Sequence, residues 1–285
     1  MDNVPLEKNI YTPDSYLRNP GGLAREMFRD LGRCRYLAWR LFIRNMTAQY
    51  RQTVLGFLWL LLPPLVQTAV WVFLNSQKIL KVGVTDIPYP VFVLTGMLLW
   101  QVFSEALLSP QQHVSAAKSM LTKIRFPHEA ILLAAIGQVL VNFLVRAGLL
   151  IMVLLWFDMP LSTSLFYAPI GVLALMGFGM MIGLLLLPFS LLYGDVQRLL
   201  VMAVSLWFFV TPVIYPVPTS NWAVFIANLN PMTPLLVTSR QLLTGGALTH
   251  LTPFLIITVV TLILSMVGWV FYRIAMPHLI ERIGA

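Results

Sequence analysis

Charge is scarce in this chain, and negative charge scarcest. Among 285 residues only 11% are Asp, Glu, Lys or Arg, and the acidic residues number 11 against 19 basic ones, where soluble domains carry about 25% charged residues. With 58% of its residues apolar, the sequence excludes a soluble domain and implies a polytopic membrane protein. There is one cysteine, Cys34, so no intramolecular disulfide can form and no cysteine metal site can be built. The four histidines, His113, His128, His250 and His278, lack the spacing of a metal pair, and no metal site is expected. No G-x-x-x-x-G-K-[ST] run occurs, so the chain cannot cradle ATP by itself and any energy source must be a partner. A nucleophile with a base beside it does not stand out, which argues against an intramembrane hydrolase. No apolar h-region follows the start, so no signal peptide is expected.

The net charge of +8 would suggest nucleic acid in a soluble protein. Here the basic residues flank apolar runs, as orientation in a membrane requires, and no nucleic-acid partner is expected. From Val54 to Leu74 there is no charge, and at about 1.5 Å per residue that run covers the roughly 30 Å hydrocarbon core. Comparable runs give six spans, at about 54–75, 89–108, 130–157, 165–192, 199–215 and 251–274. The fifth is marginal in length, so tilt or local thinning is expected there. Of the 19 Lys and Arg, fifteen then fall on one side, three (Lys78, Lys81, Arg240) on the other, and Arg146 within a span. That asymmetry places both termini of a multi-pass membrane protein in the cytoplasm.

Residues 1–20, with Pro5, Pro13 and Pro20, read as an irregular cytoplasmic tail. The 21–53 region carries Leu23, Met27, Leu31, Cys34, Ala38 and Leu41 at helical spacing and Arg25, Arg29, Arg33, Arg40 and Arg44 on another face. It reads as an amphipathic helix lying in the cytoplasmic interface, its apolar face in lipid and its arginines among lipid phosphates. Residues 54–285 form the transmembrane domain. Pro63 and Pro64 fall inside the first span, so a kink is expected, with neighbouring helices covering the freed carbonyls. Gly179 and Gly183 form a small-xxx-small pair for close packing. Ser109 to Glu129 reads as a short cytoplasmic helix bounded by Pro110 and Pro127, and Tyr193 to Arg198 as a cytoplasmic turn. Residues 216–250 read as two short helices, around Trp222–Leu229 and Pro234–Leu243, half-inserted in the outer leaflet.

At membrane depth the clear ionisable residues are Glu105 and Arg146. Counted from the outer ends of their spans they differ in depth by about 8 Å, so a direct pair requires a snorkelling arginine. Gln138, Asn142 and Arg146 recur every four residues on one face, and Gln67, Trp71 and Asn75 share a face with Pro64. Polar faces in lipid turn inward, which makes both candidates for a channel wall. Trp100, Phe103, Trp207, Phe208 and Tyr215 fit stacking on sugar rings along that channel, and fit ordinary helix packing or interfacial anchoring as well.

The runs QYRQTVLGFLWLLLPPL, LTKIRFPHEAILLA, YGDVQRLL, TPVIYP and NPMTPLLVTSRQLLTGG resemble, in this order, the membrane subunit of ABC-2 type exporters. Within that family the permeases for O-antigen, capsular polysaccharide and teichoic acid are the most similar. The resemblance implies an all-α integral membrane protein with six transmembrane helices, an N-terminal interface helix, and outer gate helices at 217–245. It also implies a homodimer paired with two copies of a separate ABC ATPase, which binds ATP and Mg while the permease moves a lipid-linked polysaccharide. An ABC-2 exporter of a drug or small lipid shares the same frame, and a membrane enzyme or scaffold of envelope synthesis is the non-transport alternative. The 110–127 segment corresponds to the coupling helix that docks on the ATPase. There Val114, Met120, Leu121 and Ile124 would fill a groove on the partner, rimmed by Lys118, Lys123 and Arg125. The alternative for that segment is a solvated basic loop that only sets orientation.

Overall fold

The computed structural model describes Met27, Lys123 and residues 29–51, 53–79, 83–121, 126–159, 162–218 and 221–284. The tail 1–20, residues 21–26 and 28, Ile124 and Arg125 lie outside the described residues. Every regular element described is helical: α1 (Arg35–Tyr50), α2 (Leu58–Ser76), α3 (Tyr89–Ala116), α4 (Lys118–Leu121), α5 (Glu129–Trp156), a 3-10 helix (Thr163–Tyr167), α6 (Ala168–Leu192), α7 (Gly194–Val210), α8 (Asn221–Leu229), α9 (Met232–Thr244) and α10 (Leu251–Gly284). Residues 29–33 are already helical ahead of α1. Among the described residues five helices are long and apolar enough to cross a membrane: α2, α3, α5, α6 with its 3-10 turn, and α10. The fifth expected span, α7, has 17 residues, about 26 Å of helix against roughly 30 Å of hydrocarbon.

Several boundaries differ from the sequence reading, each for a local reason. The first span begins at Leu58, not Val54, because Gly56 adopts φ +50° and turns the chain. Pro110 does not bound a separate helix: α3 runs through it to Ala116. The Ala106 carbonyl, which loses its helical donor to that proline, accepts the Ser109 hydroxyl at 3.3 Å. The first part of the 110–127 coupling segment is therefore the end of α3, its separate part begins at Ala117, and α4 is a single turn. Nor is Tyr193–Arg198 a turn. Only Tyr193 is extended (φ −126°, ψ 109°), and α7 starts at Gly194 with Asp195 in its first turn, where the helix dipole favours a carboxylate. The last helix likewise continues through Pro277 to Gly284.

The centre is α3 on α6. A Cβ at Gly179 would meet the Phe103 carbonyl and one at Gly183 the Leu107 carbonyl, so these glycines permit the backbone contact on which the bundle closes. Around that pair α5, α9 and α10 pack. At the end carrying α1, called here the basic end, Cys34, Ala38 and Leu41 join Ala130, Ile131, Ala134, Tyr272 and Met276 in one apolar core. The apolar stripe of the amphipathic helix thus sits on α5 and not in lipid, because α5 opens with small residues that admit it. Tyr36, Trp39 and Ile43 are what it leaves exposed. Burial pushes the Cys34 thiol up to about 11, with the nearby Glu129 charge adding to the shift. At the opposite, far end, α9 is buried along its length while α8 exposes Trp222, Phe225 and Leu229. The outer faces of α2, α7 and α10 are bare and apolar.

Candidate functional site

On α3, Gln101, Glu105, Ser109 and His113 recur every four residues and so share one face. On α5, Gln138, Asn142 and Arg146 do the same, running the opposite way. The two ridges meet. Arg146 Nη2 donates to Glu105 Oε1 in an ion pair, and Asn142 Nδ2 donates to Glu105 Oε2 at 3.2 Å. Nearer the basic end, His113 Nε2 and Gln138 Oε1 lie 3.0 Å apart, and Gln138 Nε2 donates to Gln49 Oε1 of α1 at 2.7 Å. Arg146 Nε reaches a third helix, donating to the Leu60 carbonyl of α2 at 3.4 Å. Leu60 is the residue whose carbonyl Pro64 leaves without a helical donor, so the kinked span is held where its own ladder is broken. The result is a polar column joining α1, α2, α3 and α5.

The direct pair between Glu105 and Arg146 follows from helix register, not from a long reach. The contacts 105–146 and 113–138 define one antiparallel register, on which Thr95 lies opposite Trp156. About six residues of α3, ~9 Å, therefore extend beyond α5 at the far end. The expected depth mismatch assumed that both helices end at one level, and that offset cancels it. Along the column Gln101 Oε1, Asn142 Oδ1 and Arg146 Nη1 have no partner within the described protein. Glu105 keeps 29% of its side chain exposed. Buried polar atoms need partners, and these three keep hydrogen-bonding capacity that the described residues do not use.

The aromatic candidates fall together, but as a wall. Phe103 contacts Trp207 edge-on at 5.3 Å and Trp100 at 5.2 Å, stacks on Phe178 at 5.8 Å, and Trp100 meets Phe208 edge-on at 5.6 Å. Phe103 is 0% exposed, so its ring face belongs to this packing. Tyr215 donates its hydroxyl to the Phe209 carbonyl at 2.8 Å and folds back on the end of α7. The first-span candidates do not share one buried face. Leu60, Pro64 and Thr68 are buried, Trp71 and Asn75 are half-buried, and Gln67 is exposed.

In the coupling segment, Val114 is 0% and Leu121 6% exposed, both inside the basic-end core. They fill this chain's own interior and do not present a surface. Met120 and Lys118 are half-buried and Lys123 is exposed, beside exposed Gln112, Ala116 and Ser119.

Two constellations escaped the sequence reading. At the far end, Arg240 Nη2 donates to the Pro212 and Val213 carbonyls at 3.2 and 2.6 Å, and its guanidinium lies 3.8 Å from the centre of the Phe92 ring. Gly96 makes room for it, since a Cβ there would strike both Arg240 and the Val213 carbonyl. Asn230 secures the same region. It accepts from the Trp207 indole at 2.9 Å and from the Met232 amide at 3.0 Å, and donates to Thr211 at 3.0 Å. That gives NPMTP and TPVIYP, unremarkable singly, one shared job: tying α9 to the end of α7. The second constellation, around Arg273, lies at the basic end. Among the described residues, no group of three or more His, Cys, Asp or Glu side chains comes together to hold a metal ion.

Comparison with known proteins decides the family. The family model described as ABC-2 type transporter matches residues 36–244. The chain belongs to the ABC-2 type transporter family. Among relatives of this ABC-2 chain, an O-antigen export system permease protein RfbA of Myxococcus xanthus is 27% identical over 242 residues, 84% of this chain and 92% of the relative. An O-antigen export permease RfbA of Klebsiella pneumoniae is 24% identical over 212 residues, covering 73% and 80%. The polysialic acid transport protein KpsM of Escherichia coli is 21% identical over 242 residues, covering 82% and 91%. The ABC-2 match takes in the column, the aromatic wall, the coupling segment and the α8–α9 pair. It ends before α10.

Proposed function

We propose that this chain is the membrane-spanning permease subunit of an ATP-driven exporter, moving a lipid-linked polysaccharide such as an O-antigen across the bacterial inner membrane. It works as a homodimer with two copies of a separate ABC ATPase, which bind ATP and Mg. The basic end, with both termini, is cytoplasmic, as its Lys and Arg favour. On this reading α7 makes the sixth crossing by tilt or local thinning, and α8 and α9 form the outer gate. The names and coverage of the relatives support the substrate class.

One observation carries the transport reading: Glu105 is 29% exposed at membrane depth beside unpartnered Gln101, Asn142 and Arg146 atoms. A carboxylate does not face lipid, so this side of the column closes on water or on protein. A second copy facing it would enclose an aqueous path for a hydrated glycan, with half-exposed Gln138 further along the same column. Energy enters at the coupling segment, whose free surface is Gln112, Ala116, Met120 and Lys123. The test is a strain deleted for this chain. Lipid-linked polymer should accumulate inside it, and the tagged chain should co-purify with an ATP-binding subunit. Normal surface polysaccharide in the deletion strain, with a changed drug or small-lipid efflux instead, would reject the polysaccharide substrate; absence of any ATPase would reject transport by this mechanism.

A further inference from the structure

The basic end holds a buried charge cluster that neither the column nor the coupling surface uses. Arg273 of α10 donates through Nη2 to Asp30 Oδ2 at 2.7 Å and through Nη1 to Glu129 Oε1 at 3.0 Å. The Arg273, Asp30 and Glu129 side chains are 10, 10 and 5% exposed. Each sits on a different unit. Asp30 lies in the helical turns ahead of α1, Glu129 opens α5 directly behind the coupling segment, and Arg273 lies near the basic end of α10. One residue before it, fully buried Tyr272 donates its hydroxyl to the His128 carbonyl at 3.1 Å. Two successive residues of α10 therefore grip the two successive residues that directly follow the coupling segment. The segment's other end runs straight into α3 through Ala117.

Stability alone is a weak reason for such a cluster. Well-packed apolar side chains would hold these three elements at least as firmly, because desolvating three charges offsets most of their attraction. What apolar contact does not supply is fixed direction. A planar guanidinium with one carboxylate on each arm sets both distance and angle, so neither neighbour can slide without breaking a charged hydrogen bond. We propose that Asp30, Arg273 and Glu129 form a linkage that makes the interface helix, the end of the coupling segment and α10 move as one body. A displacement entering at the coupling segment then reaches α10 and the interface helix as well as α3. The transport consequence rests on the function proposed above; the rigid-body claim does not. All three are positioning residues, remote from the column.

The test uses the whole permease–ATPase complex in lipid nanodiscs, with Cys34→Ala as background. Spin labels go on exposed positions in two pairs, Arg33→Cys with His278→Cys and Lys123→Cys with His278→Cys. In the native chain both distance distributions should be narrow and should keep their means when a non-hydrolysable ATP analogue is added. Arg273→Met should broaden both by about twofold or more and reduce polymer exported per ATP hydrolysed by roughly tenfold, within the range of coupling energies between sites. ATP hydrolysis itself should persist. Arg273→Lys, which keeps the charge without the fork, should fall between. Should Arg273→Met fail to insert, Asp30→Asn removes one arm and should broaden the Arg33–His278 pair alone. Unchanged widths and unchanged export per ATP in an inserted Arg273→Met chain would overturn the linkage. Broadening as expected in a complex whose native form exports nothing would instead reject the transport function and leave the rigid body standing.

Discussion

The column and the basic-end cluster each bury an arginine, yet they leave different debts when that arginine is removed. Arg146 faces one carboxylate, Glu105, plus a carbonyl that a proline set free. Arg273 faces two carboxylates, one of them at the N-terminus of α5, where the helix dipole supports negative charge without help. Arg240 at the far end is a third case, since among the described residues its partners are carbonyls and an aromatic ring. What decides the cost of losing a buried cation is the charge it strands, and only the column strands one at membrane depth.

The largest effect should follow at the column. Arg146→Leu leaves Glu105 unpaired and should destabilise the chain by about 3–5 kcal/mol, read as a drop in melting temperature in detergent. Adding Glu105→Leu should restore most of that loss. A double variant no more stable than the single one would place the cost in packing, not in charge. At the far end, Arg240→Met strands carbonyls and no carboxylate, so a smaller loss of about 1–3 kcal/mol is expected. A loss equal to that of Arg146→Leu would erase the distinction. The small effect is one of pH. Burial, aided by the Arg273 charge, holds His128 down to about 4, so its neutral form is bound into the fold. That stabilisation is whole above the unfolded value near 6.5 and fades as pH falls towards 4. Melting between pH 7 and pH 4.5 should therefore be less pH-dependent in His128→Gln, whereas a variant as pH-dependent as the native chain would clear His128 of that role.

The all-helical frame, the five long apolar helices α2, α3, α5, α6 and α10, and the α8–α9 pair were legible because apolar run length and helical period are local properties. So was the stripe at Gln138, Asn142 and Arg146. Its partners were not, because pairing depends on how far one helix is offset along another, and nothing local to α3 or α5 reports that offset. Pro110 misled as a boundary because a neighbouring serine repairs the bond it breaks. Val114 and Leu121 misled as docking residues because an apolar face reads the same whether it meets a partner or its own core. Asp30, Glu129 and Arg273 are too far apart in sequence for any spacing to join them. Cys34 illustrates the practical consequence: at 2% exposure its thiol resists reagents from either side of a membrane. A cysteine at Arg33 in a Cys34-free chain is the better probe of orientation. It should label in inverted vesicles and not in intact cells; the reverse would turn the chain over.

Stability and transport part company at Glu105 and Arg146, and one measurement separates them. Surface polysaccharide is quantified in a deletion strain carrying either the native chain or Glu105→Leu/Arg146→Leu, matched for inserted protein, melting temperature and bound ATPase. The native chain should restore export, and the double variant should fall short of it by about tenfold or more, as loss of a functional intramembrane charge pair implies. Export at the native rate from the double variant would show that the column holds helices together and does nothing for the polymer.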